Sequence, residues 1–518
     1  MVAIKRINFR LLKSFSSLMM QQITTYIVTI VTFGVISRLL SPTEMGVYGL
    51  LVSTVYLVGL SSNFGMKKVA IRLIAGRMAS KEAGKAAGVY WKTILLSTPS
   101  TILLSLGSAY LYDRLGIFGE VGAANGFLLF TILLILFSLR NTVSSGLEAL
   151  HLFHYETLYY SVGYTLYRIL MIYFLLIGHG VEGILIAWII GEAVTTGYTL
   201  RKVVSHLPPR LDGDDSIGII KRASPLFITD IILSAAEYGD RIASTVLGLD
   251  IVAFFYIASV GVMFLTSIYQ AIQSSILPHL SEEFHVNGFS SIGDSLMDIT
   301  RYVFIFISPI FLLAAALAEP FIVLLAGPQY IAAAPIFQIM CIGLWLGPLN
   351  PILQSTFIAV DKNNELMATI LVATILDILI MILLYPKIGY LSTGLGRAFL
   401  VVSTNLILLT IGIKMLKIKI DYIAYVKSAV SGVISALTGL ALWTYIHRID
   451  LLPVYIITPA IVYLLLIRLL RFITPEEVAS LYLSLPRHPY ITKVIKAVCI
   501  LTGIDMDTVE EIVLKHHS

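Results

Sequence analysis

The stretch DIILSAAEYGDRIAS, residues 230–244, puts the carboxylates of Asp230, Glu237 and Asp240 and the guanidinium of Arg241 into an otherwise apolar part of the chain. At 100° per residue on a helix, Asp230, Ser234, Glu237, Arg241 and Ser244 fall within about 80° of one another, and Asp240 lies to one side. An ionised side chain facing lipid costs roughly 2.5–3.5 kcal/mol by insertion scales, so this stripe must face protein or water; intramembrane charges usually mark ion or substrate paths. Glu237 and Arg241 stand four residues apart and can pair, which lowers that cost. An earlier apolar segment carries an uncharged counterpart, with Ser14, Ser17, Gln21, Thr24, Thr25 and Thr32 on one side. Arg38 and Arg168 supply further guanidiniums, groups suited to two-point contact with phosphate oxygens. Glu192 and Asp377 are carboxylates deep in apolar runs; with Asp240 they are candidate coupling sites for Na⁺ or H⁺. Each group also has a structural reading. The Glu237–Arg241 pair could simply hold its helix to neighbours, serines and threonines favour close helix packing, and Arg168 could snorkel.

The elements that position these residues are membrane helices. Of 518 residues 57% are hydrophobic and only 13% charged, with a mean hydropathy of +0.88, too apolar for a soluble surface. A hydrocarbon core about 30 Å thick needs roughly 20 helical residues per crossing. That ruler predicts about fourteen helices, near 14–40, 45–66, 86–111, 123–147, 157–178, 182–204, 223–248, 251–278, 297–318, 331–359, 364–385, 390–416, 422–446 and 453–471. The runs are too long and continuous for barrel strands. Most of the 36 lysines and arginines fall at one set of helix ends, which predicts a multi-pass protein of the cell membrane with both termini cytoplasmic. The basic start MVAIKRINFRLLKSF runs into an apolar segment with no cleavage site, so the first span is expected to stay in the mature chain. Cys341 and Cys499 are too far apart to suggest a disulfide framework or a zinc site. The outer connections are short, leaving no room there for a catalytic domain. The tail opens TPEEV, a helix start, and is expected to be a small cytoplasmic appendage.

The predicted helices 1–6 and 7–12 share a plan of a tight outer hairpin, a long inner loop and four more spans. The hairpins read RLLSPTEMGVYGLL and VLGLDIVAFFYIAS, with Tyr48 and Tyr256 at corresponding places. Such repeats suggest a two-lobe transporter with its site between the lobes. The series SRLLSPTEMGVYGL, DRIASTVLGLDIVAFFY, LPHLSEE, LAGPQYIAAAPIFQIM and FIAVDKNN, in that order over most of residues 10–415, resembles the Wzx-type polysaccharide and oligosaccharide flippases. These belong to the MOP superfamily, which also contains MurJ and the MATE exporters. The sequence departs from the pattern at Phe254, usually a small residue, and at Ser392, where a second glycine is common.

The resemblance implies an all-α fold: an N-lobe at 1–206, a cytoplasmic linker at 207–222, a C-lobe at 223–417, two extra helices at 418–471 and a tail at 472–518. It also implies alternating access for a polyprenyl lipid carrying sugars on phosphate or diphosphate. The residues accommodate that substrate, since sugar hydroxyls leaving water need replacement hydrogen bonds. Arg241 is the first candidate for the phosphate, followed by Arg38 and Arg168, with Glu237, Asp230, Gln21 and Thr25 beside them. Expected partners are the lipid-linked oligosaccharide, membrane lipid, Na⁺ or H⁺, and other glycan-assembly membrane proteins. No nucleic acid or cofactor is expected. The alternative is a MATE-like exporter of small amphipathic molecules driven by Na⁺ or H⁺. An enzyme reading finds little support: the sequence has no paired carboxylates in a long outer loop, no nucleophile constellation and no P-loop.

Overall fold

At the first hairpin the letters SPTE act as a helix start. Ser41 accepts from the N–H of Glu44, the Glu44 carboxylate accepts in return from the Ser41 N–H at 2.8 Å, and Pro42 occupies the first helical position. The computed structural model describes residues 25, 28–212, 214–287, 293, 296–297, 299–301, 303–416, 418, 420–470, 499 and 505. Gln21, Ser14, Ser17, Thr24 and the TPEEV helix start lie outside the described residues.

In chain order the helices are α1 Val28–Leu39, α2 Pro42–Ser61, α3 Met66–Ala79, α4 Ala83–Arg114, α5 Gly126–Val143, α6 Ser145–Ala149, α7 Phe153–Leu176, α8 Gly180–Val204, α9 Ser216–Ala243 and α10 Leu249–Asn287. They continue with α11 Ser308–Ala316, α12 Ala318–Ala326, α13 Ala333–Leu346, α14 Asn350–Ala359, α15 Asn363–Ile388, α16 Leu391–Leu416, α17 Tyr422–Ile446 and α18 Leu452–Leu470. Among the described residues there is no strand. Described helices fall within each of the fourteen predicted spans, the first only over Val28–Leu39. By length and composition ten of them can cross a membrane, or eleven if α13 and α14, bent by 49°, make one broken span. α1 is short as described, and α7 and α9 lie outside the ten. The chain is an all-α, multi-span membrane protein.

Two compact units form. The first holds Met1–Ile257, Leu325–Ala332 and Ile370–Thr393; the second holds Ala258–Leu324, Ala333–Thr369 and Gly394–Ser518. The unit boundaries fall inside α10, α12, α15 and α16 and at the start of α13.

In the second unit, a π-helical turn at Val303–Ile307 leads into α11. Such a turn breaks the regular i to i−4 ladder and leaves carbonyls to be satisfied from elsewhere. Side chains supply the partners: Ser428 of α17 donates to the carbonyl of Phe304, and Tyr463 of α18 donates to that of Ile305 at 2.6 Å. Ile305, Tyr463 and Ile467 form the apolar cluster around them. The two helices expected as extras after the twelfth span therefore dock by named hydrogen bonds as well as by burial.

α17 begins at Asp421, whose carboxylate accepts from the N–H of Ala424 at 2.9 Å and pairs with Arg301 at 2.5 Å. Burial pushes this carboxyl up, but the Ala424 N–H and the Arg301 guanidinium outweigh it and hold the group below the usual carboxylate range. A lowered folded value means the stabilisation is present above about pH 3.9, where the unfolded group ionises, and is lost as pH falls through the folded value. Asp421→Ala should lower stability by about 1 kcal/mol at pH 7, in line with a lost helix cap. In detergent melts the difference from wild type should shrink as the pH approaches 3.

Candidate functional site

The striped helix α9 meets the chain where α2 gives way to α3. Phe64 stacks on Phe227 with centroids 4.0 Å apart, and Tyr56 stacks on Tyr238 at 5.3 Å. Close approach depends on Gly65, which has φ +71°; a Cβ there would lie 2.7 Å from the carbonyl oxygen of Ala223 and 2.8 Å from the nitrogen of Phe227.

This packing leaves a cavity of about 510 Å³ lined by Leu60, Asn63, Lys67, Lys68, Ile71, Asn141, Glu148, Asp230, Leu233, Ser234, Glu237 and Tyr238. Three of the five striped positions on α9 thus face it. Lys67 pairs with Glu148 at 2.7 Å and donates to the Asn141 side-chain oxygen at 3.2 Å; Lys68 pairs with Asp230. Leu60, Ile71 and Leu233 make the remainder apolar, so the cavity offers opposite charges, amide groups and a tyrosine face within one space.

Beyond it a second polar cluster runs through the helices of the same unit. α7 places Glu156, Tyr160, Tyr164 and Arg168 at four-residue spacing, one face over about 18 Å of helix. α7 is pressed onto α8 at two glycines: a Cβ on Gly163 would meet Thr195 Oγ1 at 1.9 Å, and one on Gly191 would meet the Tyr167 Cβ at 2.6 Å. On its other side α8 packs along α5, which brings Arg140 within 2.5 Å of the Glu192 carboxylate, to which Trp188 also donates at 3.2 Å. The same guanidinium sits over the rings of Phe137 and Tyr160 at 4.7 and 5.4 Å. Arg168 is buried, donates to the hydroxyls of Tyr164 at 3.0 Å and Tyr48 at 3.3 Å, and stands 5.1 Å from the rings of both Tyr164 and Tyr167. Tyr164 in turn meets Thr29 of α1 at 2.5 Å, and Tyr48 meets the edge of Tyr256 at 5.8 Å. Among the described residues no carboxylate pairs with Arg168, so its charge is held by tyrosine hydroxyls and π faces.

The residues singled out by sequence therefore separate. Asp230 and Glu237 line the cavity. Arg241 lies 3.7 Å from Glu237 and 5.5 Å from the ring of Tyr238 but is buried behind them, outside the lining. Asp240, 1% exposed, accepts from the Arg241 N–H at 2.8 Å. Arg168 and Glu192 belong to the tyrosine and arginine cluster. Arg38 is exposed at the end of α1 and bonds to the carbonyl of Gly34. Thr25 accepts from Thr29 Oγ1 through its carbonyl at 2.6 Å. Asp377 is buried on α15, in the portion belonging to the first unit. Among the described residues no three His, Cys, Asp or Glu side chains come together as a metal site requires.

Lys67, Lys68, Arg140, Glu148, Tyr160 and Tyr164 were not singled out by sequence reasoning. The lysines sit in a basic run that reads as orientation signal. The tyrosines in YYSVGYTLYR do carry a signal, since they repeat every four residues up to an arginine.

Comparisons with known proteins bear on this fold. A family model described as polysaccharide biosynthesis protein matches residues 35–335, more than half of the chain. No curated protein matches by sequence. Among solved structures, the lipid II flippase MurJ in an inward closed conformation superposes with a TM-score of 0.68 at 14% identity, covering 87% of this chain and 98% of its own. An inward-facing multidrug resistance MATE family transporter of the MOP superfamily gives 0.61 at 14% identity, covering 76% and 94%. A MATE protein in a bent conformation gives 0.51 at 15% identity, covering 80% and 97%. At these identities the likeness is one of fold.

Proposed function

Given that the chain belongs to the polysaccharide biosynthesis protein family, we propose that it is a flippase for a polyprenyl-(di)phosphate-linked oligosaccharide. In this reading the sugar-bearing head passes from the cytoplasmic to the outer leaflet of the cell membrane while the lipid tail stays in the bilayer. The observation that carries the proposal is the cavity of about 510 Å³ with charged and aromatic walls inside an apolar helical protein. Sugar hydroxyls need hydrogen-bond partners when they leave water, and Asp230, Glu237, Asn141 and Ser234 offer them. The stacked pair Tyr56 and Tyr238 offers the flat apolar face against which a sugar ring can lie. Arg168, deeper along the α7 face, supplies positive charge along the path, with Arg241 behind the wall.

In the same reading the segments 1–206 and 223–417 act as lobes that open alternately, with both termini cytoplasmic, an orientation supported by the distribution of lysine and arginine. An ion gradient or the membrane potential gives direction, with Asp240, Glu192 and Asp377 as candidate coupling carboxylates. The lining carboxylates support a second reading, a MATE-like exporter of amphipathic cations.

One experiment separates the two. Cells depleted of this protein are extracted and their polyprenyl-linked sugars analysed by mass spectrometry. The flippase reading expects a completed lipid-linked oligosaccharide to accumulate while its glycan disappears from outside. An unchanged lipid pool with increased dye sensitivity would reject it in favour of the exporter.

A further inference from the structure

Three sequence motifs that the cavity does not use, SPTEMGVYG, LGLDIVAFFY and LAGPQY, meet at one place in the first unit. A helix ends with carbonyls that have no partner of its own. At the end of α1 Gln329 supplies one: its side-chain amide donates to the carbonyl of Ser37 at 2.9 Å and to that of Leu40 at 3.3 Å. The buried Tyr330 hydroxyl donates to Leu40 as well, at 2.8 Å. Gly327, at φ +105°, makes the turn that leads into these two residues.

The starts of α2 and α10 touch each other closely. A Cβ on Gly46 would stand 2.0 Å from the Leu249 carbonyl oxygen, and one on Gly49 would stand 2.7 Å from the Tyr256 ring. Thr43 donates to the Asp250 carboxylate at 2.9 Å on the exposed rim. Next to this contact the ring of Tyr256 meets those of Phe33 and Tyr48, with centroids 6.1 and 5.8 Å apart, and all three are buried. Every one of these ties joins a residue of segment 1–206 to one of segment 223–417.

We infer that this joint is a clasp at the outer face: Gln329, Tyr330 and the Thr43–Asp250 pair hold the two segments together there and let go when the cavity opens outward. The inference rests on the flippase reading and its orientation, which puts the end of α1 outside, and it names the residues that close that side. The polar ties are few and sit at helix ends, where water can replace each partner on opening. The glycine contacts carry no interlocking side chains, so the surfaces can part and meet again without repacking.

The test is the reactivity of S53C, in a C341A/C499A background, toward a membrane-impermeant maleimide added to intact cells. Ser53 is fully buried and lies seven positions from Gly46, on the same helix face, behind the joint. Q329L and T43V should each speed labelling about fivefold, the shift typical of one lost hydrogen bond, whereas T43S, which keeps the hydroxyl, should label like the parent. A disulfide in T43C/D250C should stop delivery of surface glycan, and reductant should restore it. The inference is overturned if T43V and Q329L melt and label like the parent, if the disulfide fails to form, or if the cross-linked protein transports normally. Faster labelling seen only in inverted vesicles would put the joint on the cytoplasmic side and overturn it too. Labelling is read without substrate, so its failure is separable from that of the flippase reading. If the variants open the joint while depleted cells keep an unchanged lipid pool, the clasp stands and the flippase reading falls; if lipid-linked oligosaccharide accumulates while the variants label like the parent, the reverse holds.

Discussion

Replacing Arg168 with methionine should leave the protein folded and reduce transport at least tenfold. The guanidinium is 8% exposed and is met by the hydroxyls of Tyr48 and Tyr164 and the rings of Tyr164 and Tyr167, with no carboxylate among the described residues. A buried charge without a counter-ion is an expensive feature, and its replacement by an apolar side chain of similar length is often neutral or stabilising. Methionine is flexible enough to fill the space between the rings. Stability should therefore change by no more than about 1 kcal/mol, while the positive charge along the α7 face disappears. Complementation of a depleted strain, with surface glycan as readout, checks the functional half; a thermal melt in detergent checks the other. Wild-type transport by a stable variant would show that Arg168 is packing.

The second large effect has the opposite signature. Glu192→Gln should destabilise the protein by about 3 kcal/mol, because it leaves Arg140 buried with its counter-charge removed. The pair is short, 2.5 Å, and its side chains are 15% and 7% exposed. Trp188 adds a donor to the same carboxylate, and Phe137 and Tyr160 cover the guanidinium. Converting both members, as Arg140→Met with Glu192→Leu, should restore most of the loss, since neither charge is then stranded. Denaturant or thermal unfolding of the single and double variants measures the coupling. If the restored double variant also transports normally, Glu192 holds α5 to α8 and carries no coupling ion. If it is stable and inactive, the pair itself belongs to the transport path.

Much of this protein could be read from order and spacing. The helices described within the predicted spans follow from runs of apolar residues, because in lipid a helix is the element that satisfies every backbone group within its own segment. The SPTE start of α2 is local for the same reason: its capping bonds join residues three apart. The α9 stripe is a matter of angle along one helix, and Asp230, Ser234 and Glu237 do line a cavity. Family membership rests on motif order, and the chain's match over residues 35–335 agrees with it.

Which charge meets which could not be read that way. Lys68 and Asp230 are 162 positions apart, Lys67 and Glu148 are 81 apart, and Arg140 and Glu192 are 52 apart. A periodicity along one helix is blind to its neighbours. It ranked Arg241 first among the cations, whereas helix packing at Gly65 opened the space in front of Lys67 and Lys68 and left Arg241 behind Tyr238. It read Glu192 as a candidate coupling site and could not show that the packing of α5 against α8 brings Arg140 to it. The sequence alone determined that this is a polytopic helical membrane protein with polar faces to hide, because hydropathy and helical angle are properties of single segments. Tertiary structure decided which of those faces enclose a cavity and which pair with each other, because a charge in a low-dielectric interior takes its meaning from the nearest opposite charge, and only the packing of helices supplies that neighbour.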